Sequence, residues 1–207
     1  MSLRRFPPFT RRAARATAPG RRVLITGGAR SGKSQLAEDM LAGRAQVVYL
    51  ATGAVPTADD PEWSARVATH QARRPASWTT VETADAAGIL AADPAAAGPR
   101  AVLFDCVGTW LTAAMDASGI WAADEAGGTV ATTADAALAQ AQDRLVAAWA
   151  GTTADVVAVT NEVGSGVVPA TRSGRRFRDE LGRLNTRLAA VADEVWLCTA
   201  GIPLRIR

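Results

Sequence analysis

The sequence predicts an α/β domain with a mostly parallel central sheet and helices on both of its faces. Two observations carry this prediction: short, continuously apolar runs recur along the chain, and segments of helical periodicity lie between them. A length of 207 residues suits one domain, and 48% hydrophobic with 21% charged residues is typical of globular proteins. We therefore expect a single folded domain, formed by residues 22–207.

Five short, mostly apolar runs are predicted as buried strands. They are RVLIT (22–26), QVVYLAT (46–52), AVLFDC (101–106), VVAVT (156–160) and EVWLCTA (194–200). A sixth segment, WTTVE (78–82), is predicted as a short strand or an extended piece. Because the runs do not alternate between apolar and polar residues, they favour parallel strands that are covered on both sides.

Two helices are predicted in the first half of the chain. SQLAEDMLAG (34–43) follows a glycine-rich loop and ends at Gly43, a residue type that is common at helix C-termini. Asp60 and Pro61 are typical of the N-cap and the first position of a helix. That second helix is expected to extend to about Arg73, because a proline follows two residues later.

The second half of the chain is predicted to contain one long helix, at roughly 171–191. Its apolar positions repeat at spacings of three and four, so they form one face. They are Phe177, Leu181, Leu184, Leu188 and Val191. Residues 116–140 are rich in Ala, Thr and Gly, and they are predicted as a loop that leads into a helix.

The positive charge is concentrated at the N-terminus. Residues 1–22 hold seven arginines and no acidic residue, and residues 1–21 are expected to form a disordered basic tail. Removing these seven charges from the formal net charge of +3 leaves −4 for residues 23–207. The globular part is therefore mildly acidic, which argues against nucleic acid as a partner.

The cysteine and hydropathy patterns indicate a reducing compartment and no membrane span. Cys106 and Cys198 are far apart in sequence and form neither a disulfide framework nor a zinc-binding spacing. No apolar run approaches the ~18 residues of a membrane-spanning helix. We therefore expect a cytoplasmic protein.

A glycine-rich loop after the first predicted strand matches the phosphate-binding pattern G-x-x-x-x-G-K-[ST]. The loop consists of Gly27, Gly28, Ala29, Arg30, Ser31, Gly32, Lys33 and Ser34. Its backbone N–H groups are expected to point at phosphate oxygens, with Lys33 reaching the outer phosphates and Ser34 binding Mg²⁺. Lys33 is the single lysine of a chain that has 22 arginines, which supports a specific role for it.

Asp105 closes the apolar run VLFD, at the end of a predicted buried strand. An acid at that position of a phosphate-loop protein helps to hold Mg²⁺, although strand-end acids also serve as caps or ion-pair partners. Together with the phosphate loop, Asp105 predicts a nucleoside triphosphate and Mg²⁺ in the site. These features do not decide which reaction follows.

The single histidine, His70, lies on the second predicted helix among several arginines. At i, i+4 spacing it shares one helix face with Glu62, Arg66 and either Arg73 or Arg74. Neighbouring guanidinium groups lower the pKa of an imidazole and favour its neutral, nucleophilic form, and they also hold phosphate oxygens. A covalent nucleotidyl site is one interpretation, and a surface histidine on a solvated basic helix is the other.

A second group of polar residues follows the predicted strand 156–160. Because open α/β sheets bind ligands at the carboxyl ends of their strands, Asn161 and Glu162 are candidates for contacts with substrate or Mg²⁺. Arg172 and Arg176 are further substrate candidates, at the basic start of the long helix. The alternative for these arginines is a solvated face that is paired with nearby acids.

Together these segments resemble one family, the bifunctional adenosylcobinamide kinase/adenosylcobinamide-phosphate guanylyltransferases of cobalamin biosynthesis. The resemblance covers about residues 22–115 and 142–207. It rests on LITGGARSGKSQLAE, VVYLATG, RVATHQARRPASWTTVE, LFDCVGTWLT and the block from TNEVGSG to AGIPLRIR. This chain departs from the family at 53–63, which is longer than the usual connection, and at Trp63, which stands where a methionine is common.

The resemblance implies a single P-loop domain of RecA-like fold, a homotrimeric assembly and two activities. The family phosphorylates adenosylcobinamide with ATP or GTP, and it then transfers GMP from GTP to that phosphate to give adenosylcobinamide-GDP and pyrophosphate. The guanylyl group passes through a covalent GMP–histidine, and His70 occupies the matching position.

The resemblance also implies nucleotide-binding roles outside the phosphate loop. The residues concerned are Gly53, Ala54, Val55, Gln71, Ala72, Arg73, Arg74, Glu82 and Asp105. The first three follow the second predicted strand, the next four follow His70, and Glu82 closes the W-x-T-x-E stretch.

Three rival functions remain open from the sequence. A monofunctional P-loop small-molecule kinase predicts γ-phosphate transfer without a GMP adduct. A RecA-like ATPase that is stimulated by nucleic acid predicts a basic globular surface, and the mildly acidic globular part argues against it. A nucleotide-binding regulatory module predicts tight GTP binding without turnover.

Overall fold

The computed structural model describes residues 20–92, 101–126 and 128–207, with the backbone alone for 124–126. In these residues seven strands form one sheet: β1 (Arg22–Gly27), β2 (Val47–Ala51), β3 (Thr79–Glu82), β4 (Ala101–Asp105), β5 (Asp155–Val159), β6 (Glu194–Thr199) and β7 (Ile202–Arg205). The helices of the same residues are α1 (Lys33–Leu41), α2 (Pro61–Arg73), α3 (Ala86–Ala91), α4 (Val107–Ser118), α5 (Ile120–Ala126), α6 (Gly128–Gly151) and α7 (Arg172–Ala190).

The sheet has the strand order β3-β2-β4-β5-β1-β6-β7, and its neighbouring strands are parallel except for β6 and β7. The mostly parallel sheet that the apolar runs predict is therefore confirmed. The antiparallel edge strand β7 was not predicted. It follows β6 through a two-residue turn at Ala200 and Gly201, whose φ angles of 52° and 77° are typical of a type I′ hairpin.

The strand register brings several chain segments to one edge of the sheet. Ala51 of β2 pairs with Glu82 of β3 on one side and with Asp105 of β4 on the other. Asp105 pairs in turn with Val159 of β5. Because parallel strands end at the same edge, the segments that follow β2, β3, β4 and β5 leave the sheet side by side.

Alternate side chains of the strands fill two separate cores. Leu24 and Phe104 belong to the core that the sheet shares with α3 to α7. Val23 and Leu103 belong to the core on the opposite face, which is covered by α1 and by Trp78. This period of two confirms that helices cover both faces of the sheet. Helix α2 contributes no buried side chain to either core.

Of the predicted loop leading into a helix at 116–140, the loop is wrong and the helix is confirmed, because this segment contains the end of α4, all of α5 and the first half of α6. Gly119 ends α4 with a φ of 70°, and Gly128 begins α6 with a φ of 62°. Alanine is the strongest helix former, and Ile120 and Leu138 are buried at 1% and 2% exposure. The glycines therefore mark breaks between helices rather than a loop.

Helices α3 and α4 are also additions to the prediction. The Asp85 carboxylate caps α3 by accepting a hydrogen bond from the Gly88 N–H at 3.0 Å. Cys106 caps α4, where its sulfur accepts a hydrogen bond from the Thr109 N–H at 3.4 Å. None of the described helices is long and apolar enough to cross a membrane.

Most of the predicted basic tail, 1–21, lies outside the described residues, which begin at Gly20. Gly20 donates its N–H to the Thr152 carbonyl at 3.3 Å, and the Arg21 N–H donates to the Asp155 carboxylate at 2.9 Å. Gly20 and Arg21 are therefore bound to the rest of the fold.

Candidate active site

The phosphate loop connects β1 to α1, as the sequence predicts. The chain passes through left-handed backbone at Arg30 (φ 57°) and Gly32 (φ 91°), and α1 begins directly afterwards. The Lys33 amine donates a hydrogen bond to the Gly28 carbonyl at 3.0 Å, and Lys33 is only 6% exposed. Burial lowers the pKa of Lys33. The loop therefore presents an amine and a helix N-terminus together, which is a suitable site for phosphate.

The β6–β7 turn packs against the phosphate loop. Gly201 donates its N–H to the Ser31 carbonyl at 3.1 Å, and a Cβ on Gly32 would lie 3.3 Å from the Gly201 Cα. The Ser31 hydroxyl is buried and has no hydrogen-bond partner among the described residues. Since buried hydroxyls are normally paired, this one is available to a bound phosphate. The C-terminal AGIPL segment thus packs against the phosphate loop and supports its backbone.

Asp105 lies at the carboxyl end of β4, where the sequence predicts an acid. Its Oδ2 accepts a hydrogen bond from the Tyr49 hydroxyl at 2.5 Å. Burial, and secondly the charge of Asp105, raise the pKa of Tyr49, so the phenol remains a donor at neutral pH. The Asp105 charge also opposes the lowering of the Lys33 pKa, which burial causes.

The oxygen donors of this site suit Mg²⁺ that arrives with a nucleotide. No group of three or more His, Cys, Asp or Glu that could hold a metal ion occurs in the described part of the chain. In phosphoryl-transfer sites, however, Mg²⁺ takes only one or two protein ligands and completes its shell with phosphate oxygens and water. The Ser34 hydroxyl, at the start of α1, and the Asp105 carboxylate are ligands of that kind.

His70 lies in the third turn of α2 and faces the carboxyl edge of the sheet. Its Nδ1 is 3.5 Å from Asp105 Oδ2, 4.0 Å from Glu38 Oε1 and 3.3 Å from Arg73 Nη2. The imidazole is 19% exposed. It therefore lies among charged groups in a partly buried position, not on a solvated helix face.

Burial and four charged neighbours set the protonation of His70. Burial has the largest effect and lowers its pKa, and Arg73 and Arg66 lower it further. Asp105 and Glu38 oppose this shift but do not reverse it. The pKa lies below the ordinary value of 6.5, so the imidazole is neutral and nucleophilic at neutral pH. The sequence predicted that arginines lower the pKa of His70, but it did not predict the effects of burial and of the two carboxylates.

Arg73 pairs with a residue that the sequence analysis missed. Its Nε and Nη2 each donate a hydrogen bond to the Glu38 carboxylate at 3.1 Å. Glu38 is 7% exposed and connects α1 to α2 through this pair. Its position was a usable signal, because Glu38 shares a helix face with the buried Leu41, three positions later.

Arg74 is the arginine that shares a cleft with His70. Its guanidinium carbon lies 3.4 Å from the centroid of the Tyr49 ring, and its Nη1 donates to Thr80 Oγ1 at 3.1 Å. Stacking and hydrogen bonding thus fix the guanidinium plane. Of the two arginines that the helix spacing left open, Arg74 lines the cleft together with Arg66.

The cleft lies at the carboxyl edge of the sheet and brings together many of the predicted site residues. Those that line it are Gly53, Ala54, His70, Gln71, Arg74, Glu82, Asp105 and Asn161. Tyr49, Trp63 and Arg66 are among the other residues that line it. Val55 and Ala72 do not line it, and Val55 is 66% exposed.

Trp63 packs against the segment that follows β2, and its indole leaves no room for a side chain at Gly53. The indole Nε1 donates a hydrogen bond to the Ala54 carbonyl at 2.7 Å. A Cβ at Gly53 would lie 2.5 Å from Trp63 Cζ2, which is closer than real contacts allow. The tryptophan that departs from the family pattern therefore connects the start of α2 to the segment that follows β2.

The two residues after β5 have different surroundings. Asn161 lines the cleft, and its carbonyl accepts a hydrogen bond from Asn185 Nδ2 at 3.0 Å. The Glu162 carboxylate accepts a hydrogen bond from the Gly164 N–H at 3.0 Å, so it contacts the loop to which Glu162 itself belongs. Only Asn161 of this pair is thus placed beside His70.

The arginine candidates on α7 lie apart from the cleft lining. Arg176 pairs with Asp135 of α6 and with Glu180, one turn further along α7, at 3.3 Å. Arg172 is exposed at the first position of α7. Neither residue lines the cleft that contains His70.

A comparison with solved structures supports the P-loop fold. A prototypical ATPase from the type III secretion system of pathogenic bacteria matches with a TM-score of 0.55 and 18% identity. The match covers 87% of this chain and 51% of the ATPase chain, so this chain spans about half of its length. At this identity the likeness concerns the fold alone, and it confirms the predicted fold class.

Curated relatives match over nearly their whole length. The bifunctional adenosylcobalamin biosynthesis protein CobU of Salmonella typhimurium is 41% identical over 186 residues, which are 89% of this chain and 99% of the relative. The protein of the same type, CobP, from Pseudomonas aeruginosa is 35% identical over 187 residues, with 90% and 97% covered. A family model described as cobinamide kinase / cobinamide phosphate guanyltransferase matches residues 23–206. The chain therefore belongs to the cobinamide kinase / cobinamide phosphate guanyltransferase family of enzymes.

Proposed function

We propose that this protein phosphorylates adenosylcobinamide with ATP or GTP and then transfers GMP from GTP to the new phosphate through a covalent GMP–His70 intermediate. The observation that carries the proposal is the position of His70, whose Nδ1 lies 3.5 Å from Asp105 at the carboxyl end of β4. A neutral nucleophile, an acid suited to Mg²⁺ and a triphosphate-binding loop in one site suit both transfers. Membership of the family supports the pair of activities.

In the kinase step, the loop 27–34 holds the triphosphate through its backbone N–H groups, and the Lys33 amine exchanges the Gly28 carbonyl for phosphate oxygens. Ser34 and Asp105 are the residues that hold Mg²⁺, which neutralises charge on the phosphates when it is bound. The aminopropanol hydroxyl of adenosylcobinamide attacks the γ-phosphorus. The nucleoside diphosphate leaves, and the hydroxyl proton is released to solvent.

In the guanylyl step, the neutral imidazole of His70 attacks the α-phosphorus of GTP, and the bond to the bridging oxygen of pyrophosphate breaks. Arg66 and Arg74 line the same cleft and neutralise the phosphate oxygens. A phosphate oxygen of the substrate then attacks the same phosphorus, and the phosphorus–nitrogen bond breaks. His70 is thereby restored, and one difficult substitution is replaced by two easier ones.

The remaining ligand contacts are proposed from the family resemblance. For the nucleotide they are Gly53, Ala54, Val55, Gln71, Ala72, Arg73, Arg74 and Glu82. The positions of Gly53, Ala54, Gln71, Arg74 and Glu82 along the cleft support these roles. For the corrinoid substrate the candidates are Asn161, Glu162, Arg172 and Arg176, of which Asn161 has the support of its place in the cleft.

We also propose a homotrimer in the cytoplasm with no nucleic-acid partner. The family resemblance supports the assembly, and the two cysteines without a disulfide framework support the location. The formal charge of −4 on residues 23–207 supports the absence of a nucleic-acid partner. Sedimentation equilibrium measures the mass of the assembly, and a monomer or dimer would contradict the trimer.

Labelling with α-³²P-GTP and Mg²⁺ tests the proposed function. We expect the wild-type protein to become labelled in an acid-labile, base-stable bond, as a phosphoramidate requires. His70→Ala and His70→Asn should abolish labelling. Labelling that persists in either variant contradicts the assignment of His70.

The kinase rival is tested with γ-³²P-ATP and adenosylcobinamide in the same preparation. Our proposal predicts that His70→Ala still transfers the γ-phosphate, since the phosphate loop is intact. A wild-type protein that shows γ-phosphate transfer but no GMP adduct would instead be a monofunctional kinase.

A further inference from the structure

Glu38 is a buried carboxylate that the phosphate-loop motif does not use. It lies on α1, five positions after Lys33, and is 7% exposed. A buried carboxylate requires a partner, because the protein interior solvates a charge far less well than water does. Its partner lies on α2, the helix that carries His70.

Arg73 supplies that partner with a two-point contact. Its Nε donates to Glu38 Oε2 and its Nη2 to Glu38 Oε1, both at 3.1 Å. The same Nη2 lies 3.3 Å from Nδ1 of His70, and Glu38 Oε1 lies 4.0 Å from that nitrogen. One guanidinium nitrogen therefore contacts both the carboxylate and the imidazole.

The Glu38 carboxylate orients the Arg73 side chain, which few other contacts restrict. Arginine has many rotamers, and α2 contributes no buried side chain. Nη1 is not needed for the contact with Glu38, and the Arg73 side chain is 36% exposed. Arg73 also lines an open cavity of about 310 Å³ beside Pro75 and Trp78. That cavity does not include His70, so the observation that links Arg73 to the nucleophile is the 3.3 Å distance from its Nη2 to His70 Nδ1.

We propose that Glu38 is a positioning residue for guanylyl transfer: it holds the Arg73 guanidinium beside His70, with the remaining N–H groups available to the α-phosphate that the imidazole attacks. Guanidinium groups that are held in a fixed plane bind phosphate oxygens with defined geometry. The inference rests on the proposed function, because it requires His70 to be the nucleophile.

A purely structural role is the alternative, in which the pair only attaches α2 to α1. Loss of a structural pair would lower the thermal midpoint and would affect both activities in parallel. Loss of a positioning pair would act on transfer at the α-phosphorus through Arg73. The two roles therefore differ in whether labelling falls alone or together with γ-phosphate transfer and the thermal midpoint.

The test compares Glu38→Gln, Arg73→Gln and the double variant by their initial rates of labelling with α-³²P-GTP and Mg²⁺. Glutamine keeps the shape of Glu38 but removes the charge that orients the guanidinium. We expect Glu38→Gln to lower the rate at saturating GTP by about 10- to 100-fold, the range seen when supporting residues of a site are removed. The KM for GTP should change by less than about threefold, since ground-state binding is retained. If Glu38 acts through Arg73, the double variant should be no slower than Arg73→Gln.

Asp39→Asn is the matched control. Asp39 is the neighbouring acid on α1, is exposed, and accepts a hydrogen bond from Gln35 at 3.0 Å. This variant should label at the wild-type rate. Thermal unfolding of each variant reports whether the protein is folded.

A wild-type labelling rate in Glu38→Gln overturns the inference, and so does a double variant in which the two losses multiply. A parallel fall in labelling, in γ-phosphate transfer and in the thermal midpoint assigns the pair to structure and also overturns it. If the wild-type protein is not labelled, the proposed function fails before any variant is compared.

Discussion

The protonation of His70 depends on residues from three elements, and it makes a prediction for the pH dependence of labelling. Burial lowers its pKa most, Arg73 and Arg66 add to the shift, and Asp105 and Glu38 oppose it. Because the pKa in the folded protein lies below 6.5, most of the imidazole is still neutral at pH 6.5. We expect the pH at which the initial rate of α-³²P-GTP labelling is half-maximal to lie below 6.5. A half-maximal rate at pH 6.5 or above would contradict this.

Gly53→Ala tests the contact between Trp63 and the chain after β2. The new Cβ would lie 2.5 Å from Trp63 Cζ2, so the indole must move and its hydrogen bond to the Ala54 carbonyl is lost. We expect the KM for GTP in the labelling assay to rise by roughly three- to tenfold, which is about 1 kcal/mol. Gly182→Ala is the control, because a Cβ at this helical position meets nothing within 4 Å.

A second substitution shows whether the steric clash is the cause. In Trp63→Met the side chain is unbranched and flexible, so it accommodates a Cβ at position 53. The double variant Gly53→Ala with Trp63→Met should therefore have a lower KM than Gly53→Ala alone. An equal or higher KM in the double variant would show that the glycine serves another purpose.

At the residue scale, the sequence predicted the residues that belong to local patterns. The loop 27–34 and Asp105 have fixed positions relative to a strand and a helix, so their placement follows from the chain itself. Glu38 and Tyr49 could not be assigned this way, because their roles arise from contacts with residues 35 and 56 positions away. A residue that acts through tertiary contact carries little signal of its own in the sequence.

At the scale of elements, Arg22 and Asp193 join the starts of β1 and β6. The Asp193 carboxylate accepts hydrogen bonds from the Arg22 backbone N–H at 2.8 Å and from its Nε at 3.1 Å. Burial alone would raise the pKa of Asp193, but the hydrogen bonds and charge of Arg22 outweigh burial and lower it. A lowered pKa stabilises the fold above the ordinary value of 3.8, and this contribution is lost as the pH falls through the lower, folded value.

Asp193→Asn keeps an acceptor oxygen but removes the charge. The side chain is 44% exposed, so solvent screens the pair and we expect a loss of less than ~1 kcal/mol at pH 7. Urea unfolding at pH 7, 5 and 3 measures the difference, which should shrink at pH 3. Asp143→Asn, in an exposed pair with Arg187, is the control and should change stability less. A difference that grows toward pH 3 would contradict the sign of the pKa shift.

The prediction of a loop within 116–140 failed because it was based on amino-acid composition and did not include the packing of this segment against the core. Ala and Thr with interspersed glycines are compatible with a loop, and the apolar spacing there is sparse. Ile120 and Leu138 nevertheless reach the core, and burial of their side chains stabilises α5 and α6. The strands were easier to predict, because their apolar runs are continuous and need no partner to be recognised.

At the scale of the whole molecule, the parallel sheet collects residues from distant segments at one edge. The phosphate loop follows β1, α2 follows the connection after β2, Asp105 ends β4, and Asn161 follows β5. Open α/β sheets bind ligands at this edge because successive strands end there together. The fold class was predictable from this alternation, whereas the approach of α2 to Asp105 depends on side-chain contacts that no local pattern encodes.

This arrangement predicts that the two nucleotide-dependent steps compete. The described part of the chain contains a single phosphate loop, and the cleft residue His70 lies 3.5 Å from Asp105, whose charge also acts on the pKa of Lys33 in that loop. If the same loop holds the triphosphate in both steps, a non-hydrolysable ATP analogue should inhibit α-³²P-GTP labelling by raising the KM for GTP without changing the maximal rate. AMP, which lacks the outer phosphates that Lys33 binds, should inhibit far less.

Lys33→Ala should lower both labelling and γ-phosphate transfer by at least about tenfold, whereas His70→Ala should abolish labelling alone. Labelling that is unaffected by a saturating ATP analogue would show that a separate site outside the phosphate loop binds GTP for the guanylyl step.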